Sequence, residues 1–303
     1  MLSEIISLGK QIYHIDNPRE LHRFIVFIAR AMLHASDMKR LYAWYQQDEL
    51  RRRVLAENPF PMEQVTRAFF YKGATFSERA KLIREHTEIV QSVFHADIAF
   101  KLLADNTGGV EVWRGDYDGE KDWHAFMSFH AGQRKEGLLG LNLVLADEML
   151  YQMIFWFAHN HSGERSLYIG AMQGPRGHGA RELVKAVTKR CYRYRTKNLI
   201  LYMTQAVARS MGVGHIYAVT NAGYYAQNHV RKDRKLKTNF GEFWAEAGGW
   251  LTSDERFFEL PLQEPRKMIE DVKSQKRNLY RKRYVFLDAI DEYMGKQLNE
   301  YRQ

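Results

Sequence analysis

The residues best able to do chemistry stand in one short segment, Gln173-Gly174-Pro175-Arg176-Gly177-His178-Gly179. An apolar stretch precedes it and a helical pattern follows it. Unpaired backbone N–H groups collect at a strand-to-helix junction, and the helix dipole adds partial positive charge there. An anion, above all a pyrophosphate, suits that position. Glycines let the main chain approach a ligand closely, and Arg176 adds a charged donor. The segment matches neither of two familiar phosphate loops. Gly177-His178-Gly179 supplies the first two glycines of the dinucleotide fingerprint, but Glu182 stands where the third falls. The Gly-Lys-Ser/Thr ending of nucleotide hydrolases is absent. The competing reading is a glycine turn that only connects two elements.

Other clusters carry weaker signals. Lys273 to Arg283 holds six basic residues and no acid. On a helix, Arg277, Tyr280 and Arg283 share a face. Such a face can grip phosphate on a cofactor, a lipid head group or nucleic acid, or can simply be solvated. A second basic run, Arg231 to Lys237, follows Tyr224, Tyr225 and His229 and precedes Phe240, Phe243 and Trp244. No recognition-helix or RNA-binding signature accompanies it, so nucleic acid has only net charge behind it. His159 and His161 share a strand face but lack a third ligand, and no metal is expected. Cys191, the one cysteine, excludes an internal disulfide and reads as a buried thiol in mid-helix. No Gly-x-Ser-x-Gly is present, so a hydrolase triad has no support.

The elements that must position these residues follow from hydrophobic periodicity. Residues 1–105 read as a helical N-terminal region, with apolar positions at helical spacing from Leu21 to Met32. Near residue 106 the period changes, and 106–303 is predicted as an α+β core. Strands are predicted at Val110–Trp113, Ala125–Phe129, Leu138–Leu145, Tyr151–Ala158 and Ser166–Met172. The fourth and fifth are joined by the turn-forming Asn160-His161-Ser162-Gly163-Glu164 and read as a hairpin. Helices over 180–193 and 197–211 lead to a sixth strand, His215–Thr220. A loop region over 222–250, a short strand at Phe257–Leu260 and a long charged helix from Glu264 complete the chain. The fold class is thus α+β: helices, then a mixed, mainly antiparallel sheet with flanking helices, and a basic C-terminal helix.

Composition sets outer limits. The chain has 303 residues, 45% hydrophobic and 27% charged, with 21 Gly and 6 Pro, which excludes collagen-like and low-complexity chains. Its formal net charge is +9, which admits phosphate-bearing ligands, an anionic membrane surface or nucleic acid without choosing among them. The first 20 residues do not read as a signal peptide, and the longest apolar runs fall far short of the roughly 20 residues of a spanning helix. The expectation is a soluble, cytoplasmic protein.

Two resemblances sharpen this reading. Antiparallel strands, a glycine loop, a helix and another strand is the order of the Gcn5-related acyltransferase superfamily. Its loop motif, Gln/Arg-x-x-Gly-x-Gly/Ala, holds the pyrophosphate of coenzyme A, and Gln173 to Gly179 resembles it with one extra residue. The resemblance implies an acyl-CoA donor whose phosphates meet Gln173, Gly174, Arg176, Gly177 and Gly179, with help from Arg277, Tyr280 and Arg283. It also implies that Tyr224 or Tyr225 protonates the leaving thiolate and that His178 or His130 takes a proton from the acceptor.

Five segments in order also resemble the bacterial VirK/YbjX family. They are Leu167 to Gly174, Glu182 to Lys189, Ile216 to Asn221, Phe243 to Gly249 and Lys276 to Tyr284. The likeness covers roughly 60–303. It implies a Gram-negative setting, with links to virulence and to resistance against membrane-active peptides, and attaches no reaction. The alternative to a transferase is a non-enzymatic module at the inner membrane face, acting through the basic C-terminal helix.

Overall fold

The computed structural model describes residues 2–303 apart from 106, 117–121, 147, 176 and 229–238. Seven helices come first: α1 (Leu2–Ile12), α2 (Pro18–Leu33), α3 (Ala35–Gln46), α4 (Glu49–Glu57), α5 (Phe60–Gln64), α6 (Phe76–Val93) and α7 (Ala96–Leu103). Their starts are written in the sequence. Asn17, Asp48 and Thr75 cap α2, α4 and α6, each accepting a backbone N–H of the first turn. At α6 the cap is reciprocal, because Glu78 reaches back to the Thr75 amide at 2.7 Å.

The sheet then builds from β1 (Val110–Asp116), β2 (Asp122–Ser128), β3 (Leu139–Leu145), β4 (Glu148–His159) and β5 (Arg165–Gln173). Two helices, α8 (Ala180–Arg190) and α9 (Thr196–Ser210), cross over to β6 (His215–Val219). The chain ends with α10 (Phe240–Glu246), β7 (Trp250–Leu251), β8 (Phe257–Leu260) and α11 (Ser274–Glu300). The spatial order is β1-β2-β3-β4-β5-β6-β8-β7. Every pairing is antiparallel except β5 with β6, whose strands the crossover makes parallel. The α+β class and the mixed, mainly antiparallel sheet are as the periodicity predicts.

β4 is the keystone. Met153 to Ala158 is buried throughout, as a strand covered on both faces requires. Pairing with β3 stops at Phe155, so the outer edge of the last β4 residues is left to α6. There the Phe157 amide donates to His86 Nδ1 and the His159 amide to Glu85, each at 3.1 Å. Burial drives the His86 pKa down to about 3, so the ring is a neutral acceptor. The β4–β5 hairpin turns on Asn160, whose side-chain oxygen accepts the amides of Ser162 and Glu164 at 2.9 Å.

Several boundaries differ from expectation. α11 starts at Ser274, not Glu264. Pro265 disfavours helical backbone at Glu264, and that carboxylate instead takes the Tyr194 hydroxyl at 2.8 Å. α8 ends at Arg190, so Cys191 is a buried C-cap, not a mid-helix residue. The chain reverses there through Tyr192 and Arg193, both at positive φ. α10 and β7 lie inside the expected loop region. The short α10 is started by Asn239, which accepts the Glu242 amide at 3.2 Å. A two-residue strand such as β7 is too short to show a period.

Candidate functional site

β5 and β6 part company at their C-terminal ends. Their pairing stops at Ile169 with Ala218, whereas β5 runs on to Gln173. Over residues 170–173 β5 is paired only to β4. Ligands of open sheets gather at the carboxyl ends of parallel strands where the topology switches, and this is that point. A bulge at Gly170 marks the divergence, because Ile154 faces Ala171 while Phe155 faces Ile169.

Beyond β5 the glycine loop borders an open cleft of about 410 Å³. Gln173, Gly174, His178 and His130 all line it, together with Gln133 and Gln152. Gly177 and Gly179 take φ values of 95° and 87°, and a side chain at either would meet nothing within 4 Å. Gly179 precedes the first turn of α8 without a side-chain cap. Among the described residues, the amides of Gly177, His178 and Gly179 donate to no main-chain acceptor. They stand beside the orphan amides of the α8 first turn. Gly174 serves differently: its Cα packs on Tyr151, and an added Cβ would lie 2.9 Å from the ring. Arg176 lies outside the described residues, as do Arg231 to Lys237 and His229.

The cleft floor is polar, which the sequence analysis missed. Gln173, Gln152 and Asn142 stand directly opposite one another on β5, β4 and β3. Gln152 Nε2 donates to Asn142 Oδ1 at 2.6 Å, and Asn142 Nδ2 donates to Ser128 Oγ at 3.1 Å. Gln152, Asn142 and Ser128 are buried, and buried polar side chains cost desolvation unless paired; here they pair with one another. The readable signal was a lone amide inside each of two apolar runs, Leu138–Leu145 and Tyr151–Ala158.

A loop over 130–138 roofs the site. Its His130 Nδ1 accepts the Gly132 amide at 3.1 Å, so the neutral ring carries its proton on Nε2. Gln133 Nε2 donates to Gln173 Oε1 at 2.9 Å. The loop is fastened to the N-terminal helices. Arg134 Nε reaches Glu63 at 2.6 Å, Gln64 Nε2 donates to the Arg134 carbonyl at 2.7 Å, and the Phe70 amide donates to the Lys135 carbonyl at 2.8 Å. Burial pushes the Glu63 carboxyl up, but Arg134, Tyr13 and Arg67 outweigh it and hold its pKa low.

Glu136 in this loop lies over Gly170, whose missing side chain gives its carbonyl room. Its carboxylate Oε1 accepts the Tyr224 hydroxyl at 3.0 Å. Oε2 is sealed from solvent and has no hydrogen-bond partner among the described residues. Burial raises the Glu136 pKa, opposed by Tyr224, Lys135 and Tyr225. Burial and the neighbouring carboxylate raise that of Tyr224 as well. Tyr224 and Tyr225 pack with ring centroids 4.7 Å apart. Both are buried beside the divergence of β5 and β6, not in the cleft itself.

The C-terminal residues go elsewhere. Arg277 donates to the Val272 and Glu270 carbonyls at 3.0 Å. Arg283 donates to the Tyr192 carbonyl at 3.2 and 3.0 Å and lies over the Tyr280 ring at 4.5 Å. Arg277, Tyr280 and Arg283 do not line the cleft. Arg283 clasps α11 to the turn after α8, and Arg277 ties it to the segment that leads into it.

The fold and site define an α+β protein with one parallel crossover, diverging strand ends and a glycine loop that borders a polar-floored cleft. Comparison with known proteins places it further. Residues 16–296 match the family described as "Protein of unknown function (DUF535)", and the chain belongs to that family. It is 26% identical to the uncharacterized protein YbjX of Escherichia coli (strain K12) over 229 residues, 74% of this chain and 68% of that protein. This bears out the VirK/YbjX resemblance. Two uncharacterized proteins of Haemophilus influenzae are 29% and 31% identical, over 43% and 51% of this chain. The matched regions span about half the length of those two relatives, 44% and 51%. No solved structure matches the chain. Among the described residues, no helix is long and apolar enough to cross a membrane.

Proposed function

We propose that this chain transfers an acyl group from a coenzyme A thioester to an amine or hydroxyl acceptor. The observation that carries the reading is the row of amides at Gly177 to Gly179 that meet no main-chain acceptor among the described residues, beside an open cleft at the crossover of β5 and β6. A donor whose phosphates rest there, with Gln173 and Gly174 beneath them, has a path for its arm. The edge of β5 that β6 leaves between Gln173 and Gly170 runs about 10 Å, at roughly 3.3 Å per residue. That path ends at Glu136 and Tyr224.

The reading assigns the following roles. The acceptor nitrogen or oxygen forms a bond to the thioester carbon, and the carbon–sulfur bond breaks. The acceptor's proton passes to His178, which lines the cleft and stands exposed. His130, with Nε2–H free to donate, orients the acyl oxygen. The leaving sulfur takes the Tyr224 proton. A free tyrosinate is disfavoured in that buried setting, so the Glu136 carboxyl resupplies the proton as it leaves. Burial raises the Glu136 pKa, which favours the protonated carboxyl that this step calls for.

Calorimetry with coenzyme A and with short- and long-chain acyl-CoA tests the proposal. Saturable binding that weakens at least about tenfold when Gly177 and Gly179 are both replaced by Ala is expected, because the amides turn away. Absence of heat from every donor on folded protein overturns it. The membrane-surface alternative rests on Lys276, Arg281 and Lys282, which stand exposed on α11. Salt-sensitive binding to anionic vesicles, lost in a Lys276→Glu, Arg281→Glu variant, tests that reading.

A further inference from the structure

The largest cavity described lies away from the donor cleft, toward the β7 edge. It measures about 620 Å³ and is lined by Tyr168, Tyr217, Trp250, Asp254, Phe257 and Glu259, among others. Strand register builds one wall. Trp156, Tyr168 and Tyr217 stand directly opposite one another on β4, β5 and β6. Their rings stack at centroid separations of 5.4 and 5.0 Å, inclined by 6° and 29°. The same register line continues through Glu259 on β8 to Trp250 on β7. Trp250 ends the row at the open sheet edge, 53% exposed.

The rim is acidic. Asp254 and Glu259 both line the cavity, in a chain whose net charge is +9. Glu259 Oε1 meets His215 Nδ1 at 2.6 Å, while its second oxygen has no recorded partner among the described residues. The Tyr168 hydroxyl likewise has no recorded partner there, although the ring is only half-buried. Aromatic faces attract cations, and carboxylates beside them repel anions. The protein uses this pairing itself in the groove wall. The Arg256 guanidinium lies 4.8 Å over the Tyr71 ring and 5.8 Å from that of Phe257, while binding Asp254 at 2.7 Å.

We propose that this groove binds an organic cation, a protonated amine or guanidinium carried on an apolar body. The apolar body lies against Tyr217 and Trp250, and the charged head meets the Glu259 oxygen that His215 leaves, beside the Arg256-held Asp254. The site is separate from the donor cleft, so it stands whether or not an acyl donor binds.

Calorimetry and tryptophan fluorescence with argininamide and phenethylamine test it, with phenylacetate and maltose as anionic and neutral controls. Both cations are expected to bind saturably and both controls to fail. Glu259→Gln weakens cation binding by at least about fivefold, and Trp250→Ala by at least about threefold. If Glu259→Gln melts early because His215 loses its partner, Trp250→Ala carries the test, since that side chain is exposed. Tighter binding of a blocked Ala-Arg-Ala peptide than of argininamide shows the cation arriving on a peptide, and equal affinity shows a free base. Binding of phenylacetate or maltose as strong as that of the cations overturns the proposal. So does cation affinity unchanged in both variants.

Discussion

Gly170→Ala probes how the roof loop meets the sheet. The new Cβ would overlap the Glu136 carbonyl oxygen, lying 2.9 Å from the carbonyl carbon and 3.0 Å from Trp156 Cζ3. Carbon atoms pack at about 3.5–4.0 Å, so the loop must withdraw by on the order of 1 Å. The obstacle is main chain and the buried Trp156, neither of which can swing aside. A shift of that size stretches the 3.0 Å contact between Tyr224 and Glu136 beyond hydrogen-bond range. Overpacking costs about 1–3 kcal/mol and the lost bond to a carboxyl about 1.5–3 kcal/mol. The reduced freedom of the unfolded chain returns about 0.4–1 kcal/mol. The net loss is about 2–5 kcal/mol, a fall in Tm of roughly 4–20 °C at about 2–4 °C per kcal/mol. Differential scanning calorimetry measures it directly. Near-ultraviolet circular dichroism reports the Trp156 environment in the same samples. A Tm within about 1 °C of the parent, with an unchanged aromatic spectrum, refutes the placement of Glu136 over Gly170.

Glu136→Gln keeps an acceptor for Tyr224 but removes the titrating proton. Acyl transfer should drop by about 10²-fold or more, while the Tm at pH 7.5 holds or rises because a buried group with a raised pKa opposes folding once ionised. Retained transfer with a lowered Tm would assign Glu136 a structural role instead. His215 is pushed up by Glu259 and then Glu164, so its contribution is full below the ordinary histidine range and is lost as pH rises through the raised value. His215→Gln should therefore cost more Tm at pH 5.5 than at pH 8.5, and an equal cost at both would contradict the pairing. Glu63 is held low, so its clamp on the loop is present above the ordinary carboxylate range and fades as pH falls. Glu63→Gln leaves Arg134 and Arg67 without their counter-ion and should destabilise by about 3–5 kcal/mol in urea unfolding at pH 7. A loss below about 1 kcal/mol would mean the clamp does not hold the loop.

How far the sequence went depends on the range of each interaction. Periodicity along the chain located the strands and the crossover, because alternation and helical spacing are local. The glycine loop was legible for the same reason, since a strand end, glycines and a helix start are neighbours in sequence. Gln152 and Asn142 were visible as amides within apolar runs, yet only strand register aligned them. Glu136 carried no local mark: its partner Tyr224 is 88 residues away. Arg277, Tyr280 and Arg283 were correctly placed on one helix, but what that helix packs against was not readable. The arginines' partners proved to be the Tyr192 and Val272 carbonyls.

The amino-acid order alone determined an α+β chain with one glycine-rich strand-to-helix junction, because backbone propensity and hydrophobic period act over a few residues. Tertiary structure decided which groups share that junction's cleft. It laid the 130–138 loop over Gly170, brought Glu136 to Tyr224 and stacked an aromatic row across β4, β5 and β6. Such contacts depend on how separate elements pack and on the desolvation that packing imposes, neither of which a linear pattern encodes.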